Sequence, residues 1–224
     1  SSMKLFKTIF LSLFTLFITF QGYAQRAKDG NYSVSTSGDV VNTYTSLIAN
    51  ANAGVTTLTV ANNAMSGAHF SGNLAPGDLI MIVQMYGADV EINTFPYVSG
   101  WGPYTVPNSF FASANEFFYE FGRITNYNNA GKFEQVEVTS VSGGNTINLQ
   151  CGLKNSYDFA KKVQIIRIPR YNNLTVNNSS SIVPLPWDGT SGGVVALEIE
   201  TALTVNAGGL IHANGLGFRG GQLD

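Results

Sequence analysis

The sequence predicts an all-β protein, with a small β-barrel or sandwich followed by the first coils of a β-solenoid (β-helix). Short segments rich in Val, Ile, Leu and Thr recur between turns rich in Gly and Asn. Charged residues make up only 12% of the chain and Gly supplies 24 of its 224 residues, a composition that suits turn-rich β-structure. Beyond the N-terminal segment no stretch shows the sustained periodicity of an amphipathic helix, so we expect little helix.

The barrel or sandwich is predicted over residues 51–180. Residues 79–85 (LIMIVQM) form a continuous apolar run after a Pro-Gly turn, which predicts a central strand buried on both faces. Residues 133–141 alternate apolar and polar side chains, and a Ser-Gly-Gly-Asn turn then leads into residues 146–149, the clearest hairpin of the chain. Further strands are predicted at residues 55–60, 163–168 and 174–176. Strands with hairpin-type links close most simply as a small barrel or sandwich.

Residues 1–24 are predicted to form a cleaved signal peptide. Residues 3–7 contain two lysines, and the apolar run at 8–20 is shorter than the ~20 residues that a membrane span needs. Gly22 and Ala24 are small residues at the positions that signal peptidase reads. We therefore expect an exported protein, at the cell surface or outside the cell, with the export machinery among its partners. The alternative is a retained membrane anchor.

Two irregular segments accompany the predicted strands. Residues 25–50 are polar and are predicted to form an N-terminal arm with one weak element, and residues 86–130 form a loop insertion rich in prolines and aromatic residues. Exposed Tyr and Trp side chains stack on sugars and dominate protein interfaces, so Tyr97, Trp101 and Tyr104 are candidate contacts for a glycan or a cell-surface protein. The alternative is that these rings form a small apolar core beneath the loop.

Residues 181–224 are predicted to begin the β-solenoid. Three short apolar segments, at 194–199, 202–205 and 210–213, are too closely spaced for long hairpins and too rich in β-formers for helices. A solenoid coil cannot bury its apolar face alone and needs a neighbour stacked on it. Because such a stack is expected to continue after Asp224, we expect the chain to be part of a longer protein.

Patterns for catalysis, metals and cofactors are weak. The chain has two His residues and one Cys, and we found no metal or dinucleotide motif in a suitable context. Cys151 is predicted to be a small buried side chain. Glu198 and Glu200 share one face of a predicted strand, but we expect a solvated face rather than an acid–base pair. A formal charge of −2 without a basic cluster excludes nucleic acid, and we expect no enzyme activity, metal or cofactor.

Six motifs follow one another along the chain: TTLTV, APGDLIMIVQM, EQVEVTSVSGGNTINL, IIRIPRY, WDGTSGGVVAL and GLGFRGG. In this order they resemble the N-terminal region of large exported surface proteins of Bacteroidota-type bacteria, which include gliding-motility-associated, adhesin-like proteins. The resemblance covers nearly all of residues 30–221. It implies a surface role in adhesion or gliding motility, a following Gly-rich repetitive region and a sorting domain for type IX secretion.

The last two motifs contain residues with predicted structural roles. The paired glycines permit positive φ and close backbone approach where a coil turns. We expect Trp187 to cap an open apolar end of the solenoid and Arg219 to donate to turn carbonyls. The structural residues that we assign are Trp187, Asp188, Gly192, Gly193, Phe218, Arg219, Gly220 and Gly221.

The leading interpretation is a non-enzymatic, exported surface segment in which the barrel or sandwich caps and nucleates the solenoid. One alternative is the N-terminal part of a solenoid carbohydrate-active enzyme. A second is a carbohydrate-binding module that acts through Tyr97, Trp101 and Tyr104. Continuation into low-complexity repeats favours the leading interpretation, whereas continuation into many coils with a charged groove favours the enzyme.

Overall fold

The computed structural model describes residues 25–90 and 124–218. The regular secondary structure of these residues is β-strand, apart from a 3-10 turn at Phe159–Lys161, which confirms the predicted all-β class. No helix within these two ranges is long and apolar enough to span a membrane. The strands are Tyr32–Val34 (β1), Thr43–Ser46 (β2), Thr57–Thr59 (β3), Leu79–Gln84 (β4), Asp89–Val90 (β5), Ile124–Asn126 (β6), Phe133–Ser142 (β7), Thr146–Leu149 (β8), Val163–Ile168 (β9), Arg170–Val176 (β10), Ser181–Ile182 (β11), Glu198–Val205 (β12) and Leu210–Ile211 (β13).

The barrel sheet contains six antiparallel strands in the order β2-β9-β4-β7-β8-β3. The sheet curls until its two edge strands meet, because Leu47 after β2 forms an antiparallel bridge with Val60 after β3. On either side of this bridge, Ile48 N donates to Thr59 O and Ala61 N donates to Ser46 O, each at 2.9 Å. The predicted small barrel or sandwich is therefore present as a curled half-barrel, whose edges touch within the described residues at this one bridge.

The central strand of the barrel sheet is β4, between β9 and β7, as its continuous apolar sequence predicted. Ile80 and Ile82 point into the barrel core, whereas Leu79 and Met81 pack on the opposite face. A strand buried on both faces has no need of alternating polarity, which explains its apolar run. The second face is the one that meets the solenoid, through Ala196.

The predicted hairpin joins β7 to β8. Its turn contains Gly143 and Gly144 with φ of 61° and 75°, in the left-handed region that residues with a Cβ seldom adopt. Val141 pairs with Ile147 just beyond the turn. At the base of the loop insertion, β5 and β6 pair antiparallel.

Parallel pairing builds the solenoid. β1, β10 and β12 stack side by side in one sheet, and β11 pairs with β13 in another. The first coil is β1 together with the parallel bridge between Asp39 and Ile182, the second coil is β10 and β11, and the third coil is β12 and β13. In sequence the whole barrel sheet lies between the first and second coils, although the two coils are neighbours in space.

The structure differs from the predicted organisation in three places. Residues 25–50 are not a separate arm, because they contribute β1 to the solenoid and β2 to the barrel sheet. The solenoid does not begin at residue 181, since β10 already pairs in parallel with β1 and β12. Cys151 is exposed rather than buried. The first two differences have one cause: parallel strands pair across long stretches of sequence, so neither strand reveals its partner locally.

Candidate functional site

The three coils share an apolar ladder that ends at an open surface. Val34, Val176 and Val205 occupy one rung, paired in register through the parallel sheet. Val34 and Val176 are 0% exposed, whereas Val205 is 47% exposed and Leu203 is 48% exposed. No strand within the described residues pairs with the outer edge of β12. We call this surface the open end; it comprises Leu203, Val205, Leu210 and Ile211, all exposed.

A repeat in the sequence generates this ladder. Leu-Thr-Val-Asn occurs at 174–177 and again at 203–206, and the two copies lie next to each other in register through their Leu, Thr and Val residues. Outside the strands, Asn206 Nδ2 lies 3.5 Å from Asn177 Oδ1, across a separation of 29 residues. This repeat is the signal in the sequence that locates the second coil.

Two side chains of the barrel sheet hold the segment that leads into the third coil. Asn42 donates through Nδ2 to Ala196 O at 2.7 Å and accepts from Ala196 N at 3.0 Å, so its amide substitutes for a paired strand. Tyr44 Oη donates to Val194 O at 2.7 Å. Burial raises the pKa of Tyr44 to about 12, which keeps this hydroxyl protonated and able to donate.

A second amide side chain, that of Gln164, holds the turn at Gly192. Gln164 Nε2 donates to Gly192 O at 3.1 Å, and Gly192 N donates to Gln164 Oε1 at 2.8 Å. Gly192 has a φ of +96°, and a Cβ there would lie 2.5 Å from Pro186 O. Gly193 has a φ of +74°, and its Cβ would lie 3.1 Å from the backbone N of Phe218. Both positions therefore require glycine for positive φ and for close backbone approach.

Arg170 joins the barrel sheet to two coils. Its Nη1 donates to Glu137 of β7 at 2.7 Å and to Gly77 O at 3.0 Å, and its Nε and Nη2 donate to Glu198 of β12. Burial alone would lower the pKa of Arg170, but the two carboxylates outweigh burial and raise the pKa. A desolvated arginine with two carboxylate partners is a strong, geometrically specific link.

Arg167 forms a second buried polar centre, inside the barrel. It is 1% exposed, donates to Asp78 Oδ2 at 2.7 Å and has its Cζ 3.9 Å from the ring centroid of Phe70. Lys28 donates to the other oxygen of Asp78, also at 2.7 Å. Burial lowers the pKa of Arg167, and the charge of Asp78 opposes that shift. Further donations go to the backbone oxygens of Met65, Gly72 and Asn73.

Asp39, His69 and Tyr171 form a hydrogen-bonded series of a carboxylate, an imidazole and a hydroxyl, the order of groups found in a catalytic triad. His69 Nε2 lies 2.9 Å from Asp39 Oδ1, and Tyr171 Oη lies 3.2 Å from His69 Nδ1. Tyr32 donates to Asp39 Oδ2 at 2.8 Å, and burial raises its pKa to about 12. Tyr171 is 1% exposed, so no substrate reaches its hydroxyl, and burial raises its pKa further still. The series therefore ties the first coil to the loop that contains His69.

Trp187, Asp188 and Phe218 lie together beside the turn that follows the third coil. The ring of Trp187 is 5.4 Å from that of Phe218 and 6.5 Å from that of Tyr86. Asp188 Oδ1 accepts from Thr190 N at 2.7 Å and from Ser191 N, which closes the turn between them. These contacts place Trp187 against Phe218, and the side chains of the open end stay exposed.

Of the two carboxylates of β12, Glu198 departs from the expected solvated face because it binds a buried arginine, whereas Glu200 is exposed to solvent as expected. Glu198 binds Arg170, and Glu200 lies 3.3 Å from Arg26, whose side chain is 65% exposed. Among the described residues, no group of three or more His, Cys, Asp or Glu side chains is arranged to hold a metal ion. Six predicted site residues lie outside the described ranges and remain predictions: Tyr97, Trp101, Tyr104, Arg219, Gly220 and Gly221.

Comparison with known proteins gives only distant likenesses. No family model matches the chain, and no curated protein matches it. Among solved structures, the tailspike gp61 of Pseudomonas phage phi297 has a TM-score of 0.30 and 17% identity over 69% of this chain and 22% of its own. The gp54 tailspike of Acinetobacter baumannii bacteriophage AP22, in complex with A. baumannii capsular saccharide, has a TM-score of 0.31 and 16% identity over 81% of this chain and 24% of its own. The tailspike gp49 of Pseudomonas phage LKA1 has a TM-score of 0.33 and 18% identity over 81% of this chain and 28% of its own. This chain thus spans about a quarter of each tailspike.

Proposed function

We propose that this chain is a non-enzymatic segment of an exported cell-surface protein, in which the barrel sheet caps and nucleates a β-solenoid that serves adhesion or gliding motility. The observation that carries this proposal is the ladder: residues 32–34, 174–176 and 203–205 stand in register, Val34 is buried at one end and Val205 is exposed at the other. A solenoid needs a dedicated end that does not expose its apolar rungs. The first coil provides such an end, and His69, which lies between β3 and β4 of the barrel sheet, binds Asp39 of that coil.

The polar contacts between the barrel sheet and the coils support a nucleating role. Asn42, Tyr44 and Gln164 bind the segment that precedes the third coil, and Arg170 binds Glu198 on β12. The barrel sheet thereby positions β12, the strand on which further coils stack. Positioning the first strands removes the unfavourable step of starting a solenoid, since each later coil only has to add to an existing edge.

A non-enzymatic role is supported by how the ionisable groups of the coils are used. Glu198 binds Arg170, while Asp39 and His69 bind each other and two buried or half-buried tyrosines. These groups hold segments of the fold together, and the hydroxyl of Tyr171 is inaccessible to a substrate. The competing enzyme interpretation predicts that the full-length protein depolymerises a polysaccharide, which reducing-end assays measure.

The export part of the proposal is tested in the native host. Surface-exposed protein, released from intact cells by brief proteolysis, should contain this chain, and N-terminal sequencing of the mature form should begin at Gln25. Recovery of the chain only from the cytoplasm, with residues 1–24 still attached, would overturn the proposal. A deletion strain should attach less to surfaces or spread less, and complementation with the full-length gene should restore the behaviour.

A further inference from the structure

We propose that the open end binds a parallel β-coil that continues the Leu-Thr-Val-Asn register. In that coil, Leu or Val faces Leu203, Val faces Val205 and Asn faces Asn206. The partner is thus a coil of defined sequence chemistry rather than any apolar surface. This inference rests on the proposed function, because it names what the capped solenoid carries next. It is tested on purified protein, independently of export or adhesion.

Each coil interface already present combines an inner apolar contact with an outer polar one. Between the first and second coils, Val34 packs on Val176 and Asn173 Nδ2 donates to Asn31 Oδ1 at 3.0 Å. Between the second and third coils, Val176 lies beside Val205 and the polar contacts are repeated by other residues. They are Asn206 with Asn177, and Thr201 with Asn172 at 2.6 Å.

The open end presents the outer half of the same interface. Leu203 and Val205 repeat the side chains of the second coil, and each has close to half of its surface exposed. Leu210 and Ile211 add exposed apolar surface from β13. An edge strand with unpaired backbone groups and apolar side chains is normally paired or covered. The repeated motif identifies the covering element: a strand with the same alternation satisfies every position at once.

The charges on β12 favour a parallel coil over a second copy of this chain. Two copies meeting edge to edge about a two-fold axis would pair their β12 strands antiparallel. Centred on the strand, that pairing sets Glu198 opposite Val205 and Glu200 opposite Leu203, which puts carboxylates against apolar side chains. A parallel strand in register instead sets Leu on Leu and Val on Val. Continuity with the existing ladder therefore selects the parallel coil.

The experiment extends the full chain beyond Asp224 with a copy of residues 199–213. A linker places the appended Leu-Thr-Val-Asn 29 residues after the motif at 203–206, which is the spacing between the second and third coils. The matched control has the same linker, length and composition, but its motif is rearranged to Thr-Leu-Asn-Val, which turns the apolar side chains to the outer face. Hydrogen exchange of the β12 and β13 amides is measured in both proteins and in the unextended chain.

We expect the in-register extension to slow amide exchange across β12 about tenfold or more, and the rearranged control to leave it unchanged. Val205→Asp should abolish that protection in the extended protein while leaving the unextended chain folded, because Val205 is exposed there. Equal protection by both extensions, or by neither, would overturn the inference. So would sedimentation of the unextended chain as a dimer with protected β12 amides, which would make a second copy the partner.

Discussion

The two ends of the three-coil solenoid place a valine at the same register position, but only one of the two valines is buried. At the closed end, Val34 is 0% exposed and the residues that follow it are small and polar (Ser-Thr-Ser-Gly). At the open end, Val205 occupies the same rung and is 47% exposed, and β13 adds Leu210 and Ile211. The backbone pairing is parallel at both ends. The two ends differ in the polarity of their outer side chains, which are polar at the closed end and apolar at the open end.

Contacts with the rest of the chain reinforce this difference. At the closed end, Gly38 N donates to Ser181 Oγ at 2.8 Å and Asp39 N donates to Ser181 O at 2.9 Å, so the first coil wraps the second. Near the open end, Thr201 and Asn206 form hydrogen bonds with Asn172 and Asn177 of the second coil. The cap is therefore a coil whose outer residues are polar and whose ends are bound by neighbouring parts of the chain. Four predictions test this difference, in order of decreasing effect.

The largest effect is expected at the turn that the barrel sheet holds. Gly192→Ala should cost about 3 kcal/mol of unfolding free energy, because the Cβ adds a clash with two backbone oxygens to the strain of positive φ. Gly189→Ala is the matched control: Gly189 has the same φ of +96° and nothing within 4 Å of its Cβ position. The control should cost about 1 kcal/mol. Urea unfolding measures both, and equal losses would show that close approach at Gly192 is unimportant.

The second-largest loss of unfolding free energy, about 2–3 kcal/mol, is expected for Asn42→Ala, because it leaves the buried Ala196 N–H and C=O without partners. Asn206→Ala removes an amide of the same type from the open end, where the 3.5 Å contact to Asn177 is exposed. It should cost about 0.5 kcal/mol or less. The same unfolding measurement compares the two variants. A large loss for Asn206→Ala would mean that the open end is covered in solution.

The rung itself provides the third test. Val34→Ala should cost about 2 kcal/mol, because two buried methyl groups are lost and a cavity remains. Val205→Ala, on the same rung, should cost about 0.5 kcal/mol. Both are measured at a low and a high protein concentration. Similar costs at the two positions, or a cost at Val205 that grows with concentration, would contradict the picture of one closed and one open end.

Sequence reasoning succeeded where structure is local and failed where it is not. The hairpin at 142–145 and the central strand at 79–84 depend on turn residues and on a continuous apolar run, and both were predicted. The pairing of Asn31 with Asn173 spans 142 residues, and the bond from Asn42 to Ala196 spans 154. Neither has a local signature, because a parallel neighbour or an amide ligand is specified by distant backbone.

The candidate site was predictable only in part. The sequence placed the coils near the C-terminus, but the first coil was assigned to a polar arm because Ser and Thr on its outer face conceal its two inward residues, Tyr32 and Val34. The repeated Leu-Thr-Val-Asn would have revealed the second and third coils. The ion pairs of Arg170 with Glu137 and Glu198 could not be predicted from the sequence, because these residues become neighbours only when the barrel sheet and the coils are adjacent.

The smallest expected effect is a pH dependence in the barrel sheet that the open end does not share. Burial opposes ionisation of Glu134, but hydrogen bonds from Lys154 N, Asn155 N and the hydroxyl of Tyr157 outweigh it and lower the pKa of Glu134 below its usual value. A lowered folded-state pKa contributes stability that is fully present above the unfolded-state pKa and is lost as the pH falls through the folded-state pKa. Glu134→Gln should therefore cost about 1 kcal/mol near neutral pH, and progressively less under acid.

The control for this prediction removes a carboxylate from β12, the strand that carries Leu203 and Val205 of the open end. Glu200→Gln breaks only the contact with Arg26, which is 65% exposed, so water and salt screen the lost charge and stability should change little at any pH. Unfolding free energies measured from neutral pH down to about pH 3 compare the two variants with the unmodified protein. If the difference for Glu134→Gln stayed constant with pH, the carboxylate would act through packing alone. If Glu200→Gln gave the stronger pH dependence, the open end would hold a desolvated charge, and a partner would already be covering it.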